Sequence, residues 1–329
     1  EFASIVKRSP CSDRKIYQLA KDRNTQLTKP KGSLGRLEDI ALWYASWQGQ
    51  EQPTIKRPQI VIFAGNHGIT SHGVSMFPQE VTAQMVQNFE AGGAAINQIA
   101  ECFGANLDVH TLNLEVPTCD FTTGAAMSEA ECVSALYSGW ASIDEKSDLI
   151  VAGEMGIGNT TSAAAISLAL FGGSGVDWAG EGTGLDEPGV ILKARIVEAG
   201  LVANPIAKEN GLNALMCLGG REIAAMAGAI ARARSLKIPV ILDGFICCAA
   251  AACLHAISEG ALDHCIAGHQ SAEAAHKKLL ENINKDPLLS LGLRLGEGSG
   301  AALAISIVRA AIACHSSMAT FEEAGVSKC

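Results

Sequence analysis

The chain has 329 residues, 48% of them hydrophobic and 18% charged, which is long and apolar enough to bury a large core. Its 25 lysines and arginines against 34 acidic residues give a net charge of −9, which argues against a nucleic-acid partner. The apolar stretches Phe245–Leu254 and Ala301–Val308 fall short of the roughly 20 residues that span a bilayer, so no membrane partner is expected.

Eleven cysteines are scattered along the chain, several of them inside apolar runs where cysteine behaves as a small hydrophobic residue. We expect most of them to be buried and reduced, and the absence of a visible export signal favours a cytoplasmic location. The pair Cys247 and Cys248 would point to opposite faces of a strand. A zinc or redox site is disfavoured because no Cys-x-x-Cys occurs.

In chain order, a polar helical arm over residues 12–50 precedes a series of short apolar runs that end in glycine or near an aspartate. These runs predict buried parallel strands at Gln59–Gly65, Leu107–Leu112, Leu149–Gly153 and Ile238–Gly244. Helical patterns lie between and after them, at Glu80–Ala100, Thr160–Leu170 and Gly300–Cys314. The alternation predicts an α/β fold with a Rossmann-like, mostly parallel sheet flanked by helices. We expect residues 51–302 to form this α/β domain, and residues 1–50 and 303–329 to form a small helical domain.

The glycine-rich turn from Gly153 to Thr161 carries the strongest local signal, because it joins a strand to a helix with Asn159 and Thr160 at capping positions. Backbone N–H groups at such a turn can bind an anion. Glu154 beside it is suited to hold sugar hydroxyls. An ordinary capped turn remains the alternative.

Two further loops point to phosphate. The loop Gly180–Leu185 precedes a helix with Lys193, a candidate counter-charge, and the loop Ala267–Glu273 carries Ser271, which could cap a helix or meet a phosphate. We expect His269 to be a loop histidine with its ring in solvent or in a hydrogen bond.

Glu297 lies between glycines just before an alanine-rich helix. A carboxylate desolvated in such a loop can act as a general base, although it could equally interact with the helix N-terminus. His67 is expected to be structural. Asp243 fits either an active site or a turn, and Phe77 and Met85 fit either an apolar wall or the core.

Six segments together resemble the nicotinate-nucleotide–dimethylbenzimidazole phosphoribosyltransferases: Lys29–Leu37, Phe77–Met85 with Asn88–Asn97, Gly153–Thr161, Leu242–Phe245, Gly268–Glu273 and Arg294–Ala302. The resemblance covers nearly the whole chain. It implies transfer of 5-phosphoribose from nicotinate mononucleotide to an aromatic lower-ligand base of a cobamide, without a cofactor or metal, by a dimer of one or two chain types.

The same resemblance assigns the site residue by residue. Glu297 matches the catalytic glutamate that takes the proton from the attacking base. The phosphoribose and nicotinate contacts fall on Glu154, Gly156, Gly182, Lys193 and Ser271. The base pocket falls on Phe77, Gln84, Met85 and Leu295, with Phe77 and Met85 standing where a branch of the family has serine and glutamine; a shift of one residue would make Gln84 the polar contact.

Two other classes of function stay open at this point. One is a nucleotide-binding module or a catalytically weak partner subunit in a heterodimer, in which Glu297 would have no chemical task. The other is a metal-dependent hydrolase that uses His67, Asp243 and His269.

Overall fold

The computed structural model describes residues 1–327, and its centre is one sheet of six parallel strands in the order β2-β1-β3-β4-β5-β6. The strands are β1 (Pro58–Ala64), β2 (Asn106–Thr111), β3 (Leu149–Met155), β4 (Val240–Leu242), β5 (Cys265–His269) and β6 (Pro287–Leu289). The predicted α/β class and parallel sheet are therefore confirmed. Strands β5 and β6 were not predicted, because they are short and β6 is only half-buried at the sheet edge.

Helices surround the sheet on both faces. They are α1 (Phe2–Arg8), α2 (Arg14–Asn24), α3 (Arg36–Gln48), α4 (Glu80–Glu90), α5 (Ala95–Cys102), α6 (Glu129–Ala141), α7 (Asn159–Phe171), α8 (Gly175–Trp178), α9 (Glu187–Ala203), α10 (Gly211–Leu218), α11 (Arg221–Ser235), α12 (Phe245–His255), α13 (Ala274–Asn282) and α14 (Ser299–Ser317). Short 3₁₀ helices lie at Gly68–His72, Pro205–Lys208 and Glu259–Leu262.

The strands bury both faces, since successive side chains of a strand point to opposite sides. In β1, Val61 and Phe63 join the core cluster formed with α6, α7 and α10 to α13, whereas Ile60 and Ile62 join the cluster formed with α3, α5 and α14. This explains why β1 and β3 read as continuous apolar runs rather than as alternating ones.

Two predicted elements differ from the structure. The helix expected over Glu80–Ala100 is interrupted after α4, where Gly92 adopts a left-handed φ of 76° and the chain turns into α5. Cys247 and Cys248 lie on helix α12 rather than on a strand, and both are buried, as are most of the ten cysteines in residues 1–327.

The N-terminal and C-terminal segments meet. Arg23 donates to the backbone oxygens of His315 and Met318, and Leu27 bridges Thr320. The boundaries of the helical domain expected there stay a prediction. Within the described part of the chain, α14 alone is long and apolar enough to cross a membrane, and 56% of its most apolar stretch is buried inside the protein.

Candidate functional site

The carboxyl ends of β3 and β4 meet the loop that precedes α14. Gly153, in β3, packs so closely on this loop that a Cβ at position 153 would lie 2.7 Å from the backbone nitrogen of Gly298. Only a glycine fits there. The contact brings Glu297 to the sheet edge at which parallel α/β folds bind their ligands.

Glu297 is buried and strained. Its side chain is 4% exposed, its backbone has a left-handed φ of 62° that non-glycine residues rarely adopt, and its Oε2 atom has no hydrogen-bond partner. Burial, followed by the negative charge of Asp243, raises the pKa of Glu297 to about 7. A carboxylate with this pKa is suited to take up a proton near neutral pH.

Asp243 follows β4 and binds the Glu297 loop. Its Oδ2 accepts the N–H of Gly298 at 3.1 Å, and its Oδ1 accepts the N–H of Ala301 at 2.9 Å. It is therefore Asp243, and not Glu297, that accepts N–H groups at the start of α14. His269 Nε2 lies 3.3 Å from Asp243 Oδ1. His269 was expected in a loop, but it is the last residue of β5 and is buried.

Glu154 lies beside Glu297 at the end of β3. Its Oε2 accepts a hydrogen bond from the Asn159 side chain, and a side chain at Gly296 would collide with its Oε1. Burial raises the pKa of Glu154 to about 8; the Asn159 bond opposes this, and the charges of neighbouring carboxylates add to it. The expected capping role of Asn159 is wrong, because Gly158 is the N-cap of α7 and the Asn159 amide binds Glu154 instead.

Sequence reasoning missed Glu222. It is fully buried at the start of α11, contacts the ring of His67 through Oε1, and would collide with a side chain at Gly65. A Cβ at Gly156 would lie 2.9 Å from Glu222 Oε1, so this carboxylate lies directly beneath the glycine-rich turn. His67 also meets Ser162 at 3.0 Å. The sequence feature that could have indicated Glu222 is the glycine pair Gly219 and Gly220 just before it. This pair joins two helices, however, whereas the predicted site loops were sought at the ends of strands.

A second cluster contains Lys193. Its ammonium is buried and donates to Thr160 Oγ1 at 3.1 Å and to the Gly180 backbone oxygen at 3.0 Å. Burial lowers the pKa of Lys193 to about 8, against the opposing charge of Glu273. A Cβ at Gly182, which has a φ of 53°, would lie 2.9 Å from the ammonium. Thr160 follows Asn159 in α7, so the start of this helix joins the Lys193 cluster to Glu154.

Ser271 lies in the loop between β5 and α13. Its hydroxyl accepts the N–H of Glu273 at 3.2 Å, so it shapes the loop rather than capping α13, whose N-cap is Glu273. The N–H of Ser271 donates to His276 Nδ1 at 2.9 Å, and His276 Nε2 lies 3.2 Å from Cys248 Sγ. Burial lowers the pKa of His276 to about 3, which keeps this ring neutral.

The residues assigned to the base pocket are less enclosed. Phe77 is 51% and Leu295 56% exposed, and Gln84 is exposed on α4. Met85 is half-buried against the sheet core. These four side chains are therefore more exposed than those of the buried carboxylates Glu154 and Glu297.

The loop over residues 180–186 connects the segment around Phe77 to the Lys193 cluster. Thr183 Oγ1 accepts the N–H of Met76 at 3.2 Å, Gly182 donates its N–H to Glu273 at 3.3 Å, and Glu181 lies 3.5 Å from Arg294. Three predicted loops therefore meet at one edge of the sheet. Residues 1–327 contain no cluster of three or more histidine, cysteine or acidic side chains that could hold a metal ion.

Comparison with known proteins shows the same family along the chain. Residues 10–326 match the family described as Phosphoribosyltransferase. Two relatives named nicotinate-nucleotide–dimethylbenzimidazole phosphoribosyltransferase, from Jannaschia sp. and Ruegeria pomeroyi, are 63% and 60% identical over 99% of this chain and 97% of their own length.

A solved structure with the same description, from Thermus thermophilus, superimposes with a TM-score of 0.90 at 38% identity, covering 96% of this chain and all of that chain. The resemblance read from the sequence is confirmed. The chain belongs to the phosphoribosyltransferase family that includes the nicotinate-nucleotide–dimethylbenzimidazole phosphoribosyltransferases.

Proposed function

We propose that this chain transfers 5-phosphoribose from nicotinate mononucleotide to dimethylbenzimidazole or a related aromatic acceptor, giving the α-ribotide and nicotinate. The observation that carries the proposal is Glu297: a buried carboxylate on a strained loop, with one unpartnered oxygen and a pKa raised to about 7. A module that only binds nucleotides needs no such group. Within residues 1–327, no feature favours the reading as a weak partner subunit.

In this reaction the bond between ribose C1 and the pyridinium nitrogen breaks, and its electron pair stays on the nicotinate ring. The acceptor nitrogen attacks C1 from the opposite face, which inverts the β-linkage to α. Glu297 takes the acceptor's proton, a step worth about 10²–10⁴-fold. Because C1 becomes more positive as the bond breaks, the negative charge of Glu297 and its neighbour Asp243 also favours the transition state.

The Lys193 cluster is suited to bind the 5′-phosphate. Lys193 supplies a buried positive charge, the backbone of Gly182 packs directly against its ammonium, and the Ser271 hydroxyl and Gly156 lie at the same sheet edge. Glu154, beside Glu297, is suited to accept hydrogen bonds from ribose hydroxyls. Fixing the donor in this way orients C1 toward the acceptor.

The acceptor side is built from apolar and partly exposed residues: Phe77, Met85 and Leu295, with Gln84 nearby in sequence. Such an apolar wall favours the binding of apolar rings and offers few hydrogen-bond partners that would select one acceptor over another. We therefore expect a broad acceptor range that includes a phenol attacking through oxygen. Because the ordinary pKa of a phenol is ~10, this acceptor depends more strongly on Glu297.

The experiment is an assay of the purified protein with nicotinate mononucleotide and a panel of dimethylbenzimidazole, adenine and p-cresol, with ribotides and nicotinate identified by mass spectrometry. Formation of an α-ribotide with stoichiometric nicotinate supports the proposal. If no acceptor yields a ribotide while nicotinate mononucleotide still binds, the chain is a binding protein and the proposal is wrong.

We also keep two broader expectations as proposals. A dimer is supported by apolar side chains that stay exposed on neighbouring elements, notably Val176 on α8 and Val202 on α9. Light scattering on the purified protein tests whether it is a dimer.

A cytoplasmic location is supported by the buried thiols, such as Cys132, whose pKa burial raises to about 12.

A further inference from the structure

The start of α14 depends on a residue outside that helix. Gly298 is the N-cap and has no side chain with which to accept the free N–H groups of the first turn. Two N–H groups there, those of Gly298 and Ala301, instead donate to the carboxylate of Asp243, which is 58 residues away in the chain from Ala301 and only 2% exposed.

Glu297 is the residue directly before this cap. Its φ of 62° is a strained conformation for a non-glycine residue and persists only where the surroundings impose it. Gly296 and Gly298 on either side also have left-handed φ angles, of 81° and 74°. Within the loop, the Gly296 backbone oxygen accepts the N–H and the hydroxyl of Ser299, at 3.0 and 2.7 Å. The Asp243 bonds hold the helical end of the loop from outside it.

We propose that Asp243 is a positioning residue for the transferase reaction: its carboxylate fixes the Glu297 loop against β4 and so holds the Glu297 side chain in its buried, reactive place. This inference rests on the proposed function. It assigns Asp243 no contact with substrate. The sequence left Asp243 open between an active-site residue and a turn-former. Its carboxylate has a third task, because it caps a helix that belongs to another part of the chain.

Asp243 also contributes charge. The groups that face Glu297 are Asp243 from the end of β4 and Glu154 from the end of β3, and His269 from β5 lies against Asp243 rather than against Glu297. Both facing groups are acids. Removing the charge of Asp243 therefore lowers the pKa of Glu297, while removing its hydrogen bonds loosens the loop.

The first test measures how firmly the Glu297 loop is held, and it does not depend on enzymatic activity. In hydrogen exchange followed by mass spectrometry, peptides that span residues 296–302 should exchange faster in Asp243→Asn and Asp243→Ala than in the native protein. Asparagine keeps the shape but offers one acceptor in place of two. If Asp243→Ala does not fold, Asp243→Asn carries the test alone.

The matched control is Asp13→Asn. Asp13 is the N-cap of α2 and accepts the N–H groups of Lys15 and Ile16, so it resembles Asp243 in its bonds but lies in the N-terminal arm. This variant should leave exchange in residues 296–302, and the activity, unchanged.

The second test is the pH profile. For Asp243→Asn we expect kcat to fall about tenfold or more at its plateau, because small misplacement of a catalytic group is costly, and the acid limb to move down by about one pH unit. The fall in the plateau reports the loss of position, and the shifted limb reports the loss of charge. A residue that served stability alone would lower the melting temperature but leave the plateau of kcat unchanged.

The outcomes separate the two proposals. If the native protein makes no ribotide but Asp243→Asn still loosens residues 296–302, the proposed function fails and the holding role stands without its catalytic purpose. If the native protein is active and Asp243→Asn keeps the native exchange or the native plateau of kcat, the positioning role of Asp243 is wrong, whatever happens to the acid limb.

Discussion

Two regions at the same edge of the sheet differ in how firmly they are built. Around Glu297 and Glu154 the polar groups are buried, and glycines such as Gly153 and Gly296 let backbone and carboxylates approach closely. Around Phe77 and Leu295 the side chains are about half exposed. The first region is rigid and charged, whereas the second is open and apolar.

The difference teaches where chemistry and selectivity reside. A group that moves a proton must be held within a fraction of an ångström of its working place, and burial adjusts its pKa. A surface that only binds an apolar ring gains binding free energy in proportion to the apolar area it buries, so it tolerates substitutions. Substitutions in the rigid region should therefore have large effects on turnover, and substitutions in the open region small effects on the choice of acceptor.

The sharpest test of the rigid region is Glu297→Gln. The amide keeps the size of the side chain but cannot accept the acceptor's proton, so we expect kcat to fall by about 10²-fold or more while donor binding persists. Steady-state rates and calorimetric titration with nicotinate mononucleotide measure the two effects.

The control is Glu281→Gln on α13, where the side chain is exposed and lies outside the loop. It should keep the native rate. Turnover near the native value in Glu297→Gln would remove this carboxylate from the mechanism and with it the contrast between the two regions.

A smaller loss is expected for Lys193→Met. The substitution keeps an unbranched side chain but removes the buried charge, and a hydrogen bond to a charged group contributes about 1.5–3 kcal/mol, so kcat/KM for the donor should fall about 10- to 100-fold. Lys277→Met, on the exposed side of α13, is the matched control.

Nicotinate riboside, which lacks the 5′-phosphate, identifies what Lys193 binds. It should be a very poor donor for the native protein, and Lys193→Met should hardly lower its rate further, because the variant has lost only a phosphate contact. Equal losses for riboside and mononucleotide would mean that Lys193 supports the fold of the loop rather than the phosphate.

Sequence reasoning captured the rigid region unevenly. The strands β1 and β3 and the glycine loops at their ends were predictable, because burial on both faces leaves continuous apolar runs and close approach requires glycine. Glu222 and the Asp243 bonds were not. They depend on which loops meet in space, and the partners are separated by 55 residues or more along the chain. The resemblance to a family supplied the assignment of Glu297 that local pattern left undecided.

The pH dependence tests the burial of Glu297 directly. The pKa of Glu297 is raised to about 7, and only its ionised form accepts a proton, so kcat/KM should fall about tenfold per unit below pH 7. This limb should be absent from the residual activity of Glu297→Gln. A limb that stays in the variant would belong to another group, such as the substrate phosphate.

Stability should change in the opposite sense. Between the ordinary value of 4.5 and about 7, the folded protein keeps a proton on Glu297 that the unfolded chain has released. The unfolding free energy therefore falls as the pH rises through this window. Urea denaturation at pH 5 and pH 8 should show a smaller fall for Glu297→Gln than for the native protein, and an equal fall would place Glu297 in solvent.

The smallest effect is expected in the open region, for the pair Phe77→Ser and Met85→Gln. An apolar wall gains up to about 1.5–3 kcal/mol for each fully buried large side chain, and the half exposure of Phe77 reduces this to a few-fold change in rate. The ratio of kcat/KM for dimethylbenzimidazole to that for p-cresol should shift toward the benzimidazole, whose second nitrogen gains polar partners. Tyr137→Ser, on the exposed face of α6, is the control. An unchanged ratio in the double variant would show that these two positions do not line the acceptor pocket and that Gln84 or Leu295 must be tested in their place.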